Sequence, residues 1–167
     1  MIDIKNTRGV NHEVQVKAFC DINVNDSFFD SFRKYYNPYY SEWIKKKRLD
    51  PVYVAYDKSN RIIGFLKLKI EDPGEDYSDI TPTFNPMRRL KICSFKVASF
   101  NYGLSAALMD LAFTQAAFNN ISEIYGTVPV ICDYKYDLEN FIYHCGFVKY
   151  GIKESHGLFE DVYVRHL

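Results

Sequence analysis

Residues 89–120, RLKICSFKVASFNYGLSAALMDLAFTQAAFNN, constrain the fold more than any other stretch of the chain. In the segment 89–98, Leu90 and Ile92 fall on one face of a strand and Cys93, Phe95 and Val97 on the other, the pattern of a central strand buried on both sides. The segment from about 103 to 120 places Leu104, Ala107, Leu108, Leu111 and Phe118 on a wide helical stripe, with Ser99 or Asn101 as its cap. A buried strand that hands over directly to a long apolar helix calls for a parallel neighbour, reached by a right-handed crossover.

The flanking segments supply the rest of an α/β pattern. HEVQVKAFCDI, from residue 12, alternates Val14, Val16 and Ala18 with polar neighbours and reads as a half-buried strand. Asn25 is expected to cap a helix carrying Phe28, Phe32, Tyr35 and Tyr36, and Asn37-Pro38 to end it and open a second. PVYVAYD and RIIGFLKLKIE flank KSN as a β-hairpin. Residues 71–88, with three prolines, five acids and little period, read as a long connecting loop on the surface. SEIYGTV gives a short strand, and Leu138, Phe141, Ile142 and Cys145 a helix closed by Gly146. Two last strands meet across His156-Gly157. The expected fold is α/β: a mixed, mostly antiparallel twisted sheet of about seven strands with helices on both faces, in one domain over 1–167.

Composition narrows the function. With 21 basic and 21 acidic side chains the net charge is zero, which argues against nucleic acid and an anionic membrane as partners. The run Lys45-Lys46-Lys47-Arg48 follows the stripe Tyr40, Trp43, Ile44, where cations suit a helix C-terminus. Cys20, Cys93, Cys132 and Cys145 lack metal-ligand spacing, as do His12, His156 and His166, so no metal is expected and the cysteines read as small core residues. No signal-like or membrane-spanning run of about 18 apolar residues occurs, and a cytoplasmic location is expected.

The element order, the long helix entered through NYGLSAAL, the late FIYHCGF, and the stretches EDYSDITP, RLKICSFKV, SEIYGTV and DVYVR together resemble the GNAT superfamily of acyl-coenzyme A N-acyltransferases, in an acetyltransferase-like branch. In that superfamily a Q/R-x-x-G-x-G/A turn presents backbone N–H groups to the coenzyme pyrophosphate at a helix N-terminus, where unpaired amides and the helix dipole favour an anion. Matched in order, the motif falls on Tyr102, Gly103, Leu104, Ser105, Ala106 and Ala107, with Tyr102 replacing the polar lead residue and Ser105 the first glycine. The resemblance also implies that main-chain groups of Phe95, Lys96 and Val97 hold the pantetheine arm, and that one of their N–H groups polarises the thioester.

Transfer to an amine requires loss of a proton from a group with a pKa of about 10.4. Glu71 is the candidate base; Asp72 follows it, and Glu75, Asp76 and Asp79 are placed to attract a cationic amine. Many members of the superfamily protonate the leaving thiolate with a tyrosine four residues before the glycine that closes the last helix. Ile142 holds that position here, and Tyr143 lies about 100° further round. A ping-pong route through Cys93 lacks a neighbouring histidine. The resemblance therefore implies an acetyl-CoA-dependent N-acetyltransferase acting on a small-molecule or protein amine by direct attack, with self-association as a homodimer left open. The alternative it leaves is a GNAT-shaped binding or regulatory module without turnover, a kind of fold sometimes fused to PIN-like nuclease domains.

Overall fold

The computed structural model describes residues 13–36, 39–98 and 102–167. The expected caps Ser99 and Asn101, the Asn37-Pro38 break and His12 lie outside the described residues. Among the described residues the chain forms a mixed α/β fold with one eight-stranded sheet, in the order β1 (Val14–Ala18), β2 (Pro51–Tyr56), β3 (Ile62–Glu71), β5 (Arg89–Val97), β6 (Glu123–Pro129), β8 (Leu158–His166), β7 (Val148–Ser155) and β4 (Ile80–Thr81). It divides into two compact units, one of residues up to Lys67 with Ser94–Asp110, the other of Leu68–Cys93 with Leu111–Leu167. Among the described residues no helix is long and apolar enough to cross a membrane.

In the first unit, β1 (Val14–Ala18) pairs antiparallel with β2 (Pro51–Tyr56), and β2 with the start of β3 (Ile62–Glu71). The Asp57 carboxylate closes the turn of the hairpin by accepting from the amides of Ser59 at 2.8 Å and Arg61 at 3.0 Å. The helices α1 (Asp30–Tyr36) and α2 (Tyr39–Lys46) belong to the same core, in which Phe19, Phe28, Phe29, Phe32 and Tyr40 join Val52, Val54 and Phe65. Edge-on aromatic pairs, such as Phe29 with Phe65 at 5.2 Å, give that core its geometry. The cap before α1 is Asp26, whose carboxylate accepts from the Phe28 amide at 2.8 Å. Asn25, expected in that role, instead gives its own amide to the Asn23 side chain at 3.1 Å. Lys67 is buried and paired with Asp50 at 2.7 Å.

The second unit holds β4 (Ile80–Thr81), all of β6 to β8, and α4 (Lys135–His144). β6 (Glu123–Pro129) runs antiparallel to β8 (Leu158–His166) from Glu123 opposite His166 to Pro129 opposite Glu160. β8 returns beside β7 (Val148–Ser155), and β7 beside β4. His156 and Gly157 both take positive φ, 53° and 74°, the two-residue turn that matches the twist of a hairpin. β5 (Arg89–Val97) and the long helix α3 (Tyr102–Phe118) each run through both units.

The sheet is the expected mixed, mostly antiparallel one, with eight strands among the described residues, one of them β4 from the segment 71–88. Three other expectations, for that segment, for Phe118 and for the cysteines, are corrected. The segment is no free surface loop: Tyr77, Ile80 and Phe84 are buried with Tyr125, Val162 and Val164. Their spacing follows neither helix nor strand period, so prolines and acids masked them. Phe118 ends α3 83% exposed, and Cys20 is exposed while Cys93, Cys132 and Cys145 are half-buried, so none of the four is a core residue.

Gly151 marks where β4 approaches β7 most closely. A Cβ there would stand 2.2 Å from the Thr81 carbonyl oxygen and 2.9 Å from Pro82 Cδ. Since the obstacle is backbone, Gly151→Ala is expected to cost about 1–3 kcal/mol, which thermal unfolding followed by circular dichroism would register as a drop of about 2–4 °C per kcal/mol.

Candidate functional site

The first turn of α3 is built from Tyr102, Gly103, Leu104 and Ser105 and contains no acidic residue. Leu104 and Leu108, four apart on one helical face, are buried against Gly64, where a Cβ would lie 3.0 Å from Leu104 Cδ2. That anchoring leaves Gly103 exposed and turns Tyr102 outward, 57% exposed. Ser105 is 1% exposed, and its hydroxyl has no hydrogen-bond partner among the described residues. An unpartnered buried hydroxyl is costly to leave in place, and here it lies in the turn where a helix directs its free amides and positive dipole end. Ala106 and Ala107 are half-buried.

β5 differs from the expected strand. Only Arg89 and Leu90 are buried; Lys91 to Val97, including Phe95, Lys96 and Val97, are half-buried although the strand stands fourth of eight. Its parallel ladder with β6 takes in Leu90 opposite Ile124 through Ile92 opposite Gly126, and Thr127 to Pro129 of β6 are registered with β8. The Lys96 ammonium reaches the Phe28 carbonyl oxygen and the Ser31 hydroxyl.

Glu71, at the end of β3, is 2% exposed and forms a hub in the second unit. Its Oε2 accepts from the hydroxyls of Tyr125 at 2.6 Å and Tyr77 at 3.1 Å. Its Oε1 faces Lys69 at 3.2 Å and Lys91 at 3.7 Å. Burial pushes the carboxyl up, but Lys91, the Tyr125 hydrogen bond and Lys69 outweigh it and hold the group below the ordinary glutamate range. Tyr77 is pushed up to about 12, by burial first and then by the Glu71 charge. Such a carboxylate stays ionised and has both oxygens occupied, an arrangement that lowers its basicity. The signal for the hub lay in the sequence, where Lys69 and Glu71 share one face of β3, but Tyr77 and Tyr125 carried no mark that would join them to it.

The acids after Glu71 are also engaged. Asp72 pairs with Arg88 at 3.4 Å, Glu75 with Lys69 and Asp79 with Lys153 at 3.3 Å, and Asp76 accepts from the Ser78 amide at 2.9 Å. They fold their own segment rather than present a field to a cationic amine. Ile142 is buried, and Tyr143 and His144 are exposed. Tyr143 stands edge-on to Tyr163 at 5.7 Å, and Tyr163 donates to Glu139. Asp161 is buried between Lys135 at 2.6 Å and Lys149 at 2.8 Å. His156 occupies the last hairpin turn, and His166 lies 3.1 Å from Glu123.

No protein-family model matches the chain. No curated protein matches its sequence. Solved structures match its fold over nearly the full length of both chains. An acetyltransferase of the GNAT family from Elizabethkingia anophelis with acetyl-CoA bound is 13% identical, with a TM-score of 0.62, covering 94% of this chain and 99% of its own. Arylalkylamine N-acetyltransferase 2 from Aedes aegypti is 10% identical, with a TM-score of 0.65 and coverage of 92% and 98%. A chain of the NatC complex bound to Gag peptide and CoA is 18% identical, with a TM-score of 0.55 and coverage of 93% and 99%. The fold is thus that of the GNAT acyl-coenzyme A N-acyltransferases.

The hub makes stability depend on pH. Because Glu71 is held below its unfolded value of about 4.3, its contribution is complete above that value and is lost as pH falls through its lower folded value. Glu71→Gln is expected to cost about 2 kcal/mol at neutral pH and to lose less at acid pH, a convergence that thermal melts of both proteins between pH 7 and the acid range would reveal.

Proposed function

We propose that the protein is an acetyl-CoA-dependent N-acetyltransferase that acylates a primary amine of a small molecule or a protein by direct attack. The start of α3 carries this reading: an exposed Gly103 in an acid-free turn beside the unpartnered hydroxyl of Ser105. A diphosphate supplies the acceptors that such a turn lacks. Exposure favours a register two residues earlier than the sequence match, with Gly103 in the place of the first glycine and Ser105 in that of the final Gly/Ala. In that register Leu104 is the buried residue between them, and Tyr102 needs no contact with the anion.

When bound, acetyl-CoA supplies an activated acyl group as a thioester. Main-chain groups of Phe95, Lys96 and Val97, on the half-buried part of β5, are the groups proposed to receive the pantetheine arm, with one N–H polarising the acyl carbonyl. Glu71, the expected base, is better suited to hold Tyr77 and Tyr125 in place, since its oxygens are already taken. Proton removal from the amine then falls to water. Water also serves the leaving thiolate, because Ile142 is apolar and buried.

The same Ile142 favours a second reading, a coenzyme-binding module without turnover. Calorimetric titration with acetyl-CoA, followed by thiol release over a panel of amines and peptide N-termini, separates the two. Binding with thiol release supports the enzyme, and binding without release supports the module. Loss of both would remove the coenzyme reading altogether.

Gly103→Asp tests the turn specifically. An acid in the first turn favours the helix by about 0.3–1 kcal/mol, so the free protein is expected to melt no lower than the parent, while repulsion of the diphosphate weakens acetyl-CoA binding at least about tenfold, or about 1.4 kcal/mol. Calorimetry and thermal melts on the same samples check both signs.

A further inference from the structure

We propose that the turn leaving α2, from Lys45 to Leu49, is a docking point for the surface of an anionic lipid bilayer. The proposal is independent of the coenzyme reading. It starts from the distribution of charge. The zero net charge of the chain is a sum over two unlike parts: the first unit carries 13 basic and 9 acidic side chains, the second 8 and 12. The excess of four in the first unit equals the run Lys45-Lys46-Lys47-Arg48.

Other cations of that unit are held by carboxylates, Arg33 by Asp30, Arg61 by Asp57 and Lys67 by Asp50. None of the four in the run has a carboxylate partner among the described residues. Lys17, Lys96 and Arg165 also lack one, but each lies over an aromatic ring and stands alone in the sequence. The dipole of α2 accounts for only part of the run. Lys45 and Lys46 occupy its last turn, whereas Lys47 and Arg48 lie beyond its end. Leu49 follows, an aliphatic side chain 74% exposed.

The backbone presents these residues in one fixed turn. The Lys47 amide donates to the carbonyls of Trp43 and Ile44, both at 3.1 Å, and the Asp50 amide to that of Lys47 at 2.9 Å. The Arg48 carbonyl accepts from the Cys20 amide at 2.8 Å. A pre-formed turn loses little freedom on docking. The acids nearest in sequence are Glu42, one helical turn earlier, and Asp50, which Lys67 holds at 2.7 Å; Asp21 follows Cys20. The local field is therefore positive.

Four cations around one bare leucine fit a bilayer of anionic lipid. The charged groups reach the headgroups while Leu49 enters the acyl boundary, and the binding is weak and reversible. A nucleic acid uses the same cations but leaves Leu49 in water, and so is the less complete partner.

Co-sedimentation of the full chain with vesicles tests this. With phosphatidylcholine and phosphatidylserine in equal parts, at about 0.1 M salt, the protein is expected to pellet, and with phosphatidylcholine alone to stay in solution. Lys45→Gln with Lys46→Gln should weaken the partition about 25-fold, at about fivefold for each cation. Leu49→Ser should weaken it at least about threefold. Lys58→Gln, the same loss of charge on the exposed turn between β2 and β3, should leave it unchanged. All four side chains are exposed, so the variants should melt with the parent. No pelleting with the anionic vesicles, or an equal loss per charge in Lys58→Gln, overturns the proposal. So does a short single-stranded RNA that displaces the protein from the vesicles while Leu49→Ser binds them as the parent does, since that result assigns the run to a polyanion.

Discussion

An ionised carboxylate kept out of water has to be surrounded by donors, and Glu71 organises much of the second unit on that condition. Four groups from four parts of the chain meet it: Lys69 on its own strand, Tyr77 from the following segment, and Lys91 and Tyr125 from β5 and β6. Lys91 and Tyr125 are direct partners in the parallel ladder, so the carboxylate also marks the register of β5 against β6. Tyr77 in turn stands edge-on to Phe84, and Arg89 lies over both rings while paired with Glu123. A segment rich in prolines and acids is thereby fixed as part of a core. The favourable terms are charge-assisted hydrogen bonds in a region of low dielectric, which is also why the removal of any one partner is costly.

The first unit solves a different problem. Its aromatic core seats α1 and α2, and Gly64 lets the first turns of α3 approach β3 closely. The turn that opens α3 is therefore placed by Leu104 and Leu108, while Gly103 beside them stays open. Small residues along this helix allow close packing on one side and, under the proposed coenzyme reading, leave room for an anion on the other. Ser105 departs from a plain packing role, since an alanine there would leave no hydroxyl unsatisfied. Such local costs are common where a site awaits a ligand.

Several features were legible because they depend on local pattern alone. The alternation in Val14–Ala18, the KSN turn, the handover from β5 to α3 and the Gly146 closure of α4 are each written within a few residues, and the secondary structure follows them. What escaped depended on groups distant in the chain. Tyr77, Ile80 and Phe84 share no period, and only a partner core, Tyr125 with Val162 and Val164, gives them a reason to be buried. The acids around Glu71 looked like a field for a cationic substrate because their cations, Lys69, Arg88 and Lys153, stand on other elements. Asp26 caps the turn before α1 in place of the expected Asn25, whose amide is held by the Asn23 side chain.

By itself the amino-acid order determined the succession of strands and helices, the need for a parallel crossover through α3, and the small-residue turn at its start. These follow from side-chain period, turn chemistry and helix-end valence, all local properties. Tertiary structure alone decided which of the motif's residues is open and which carboxylate is already spent. Exposure, proton affinity and pairing are set by neighbours across the fold, and no single stretch of chain contains them.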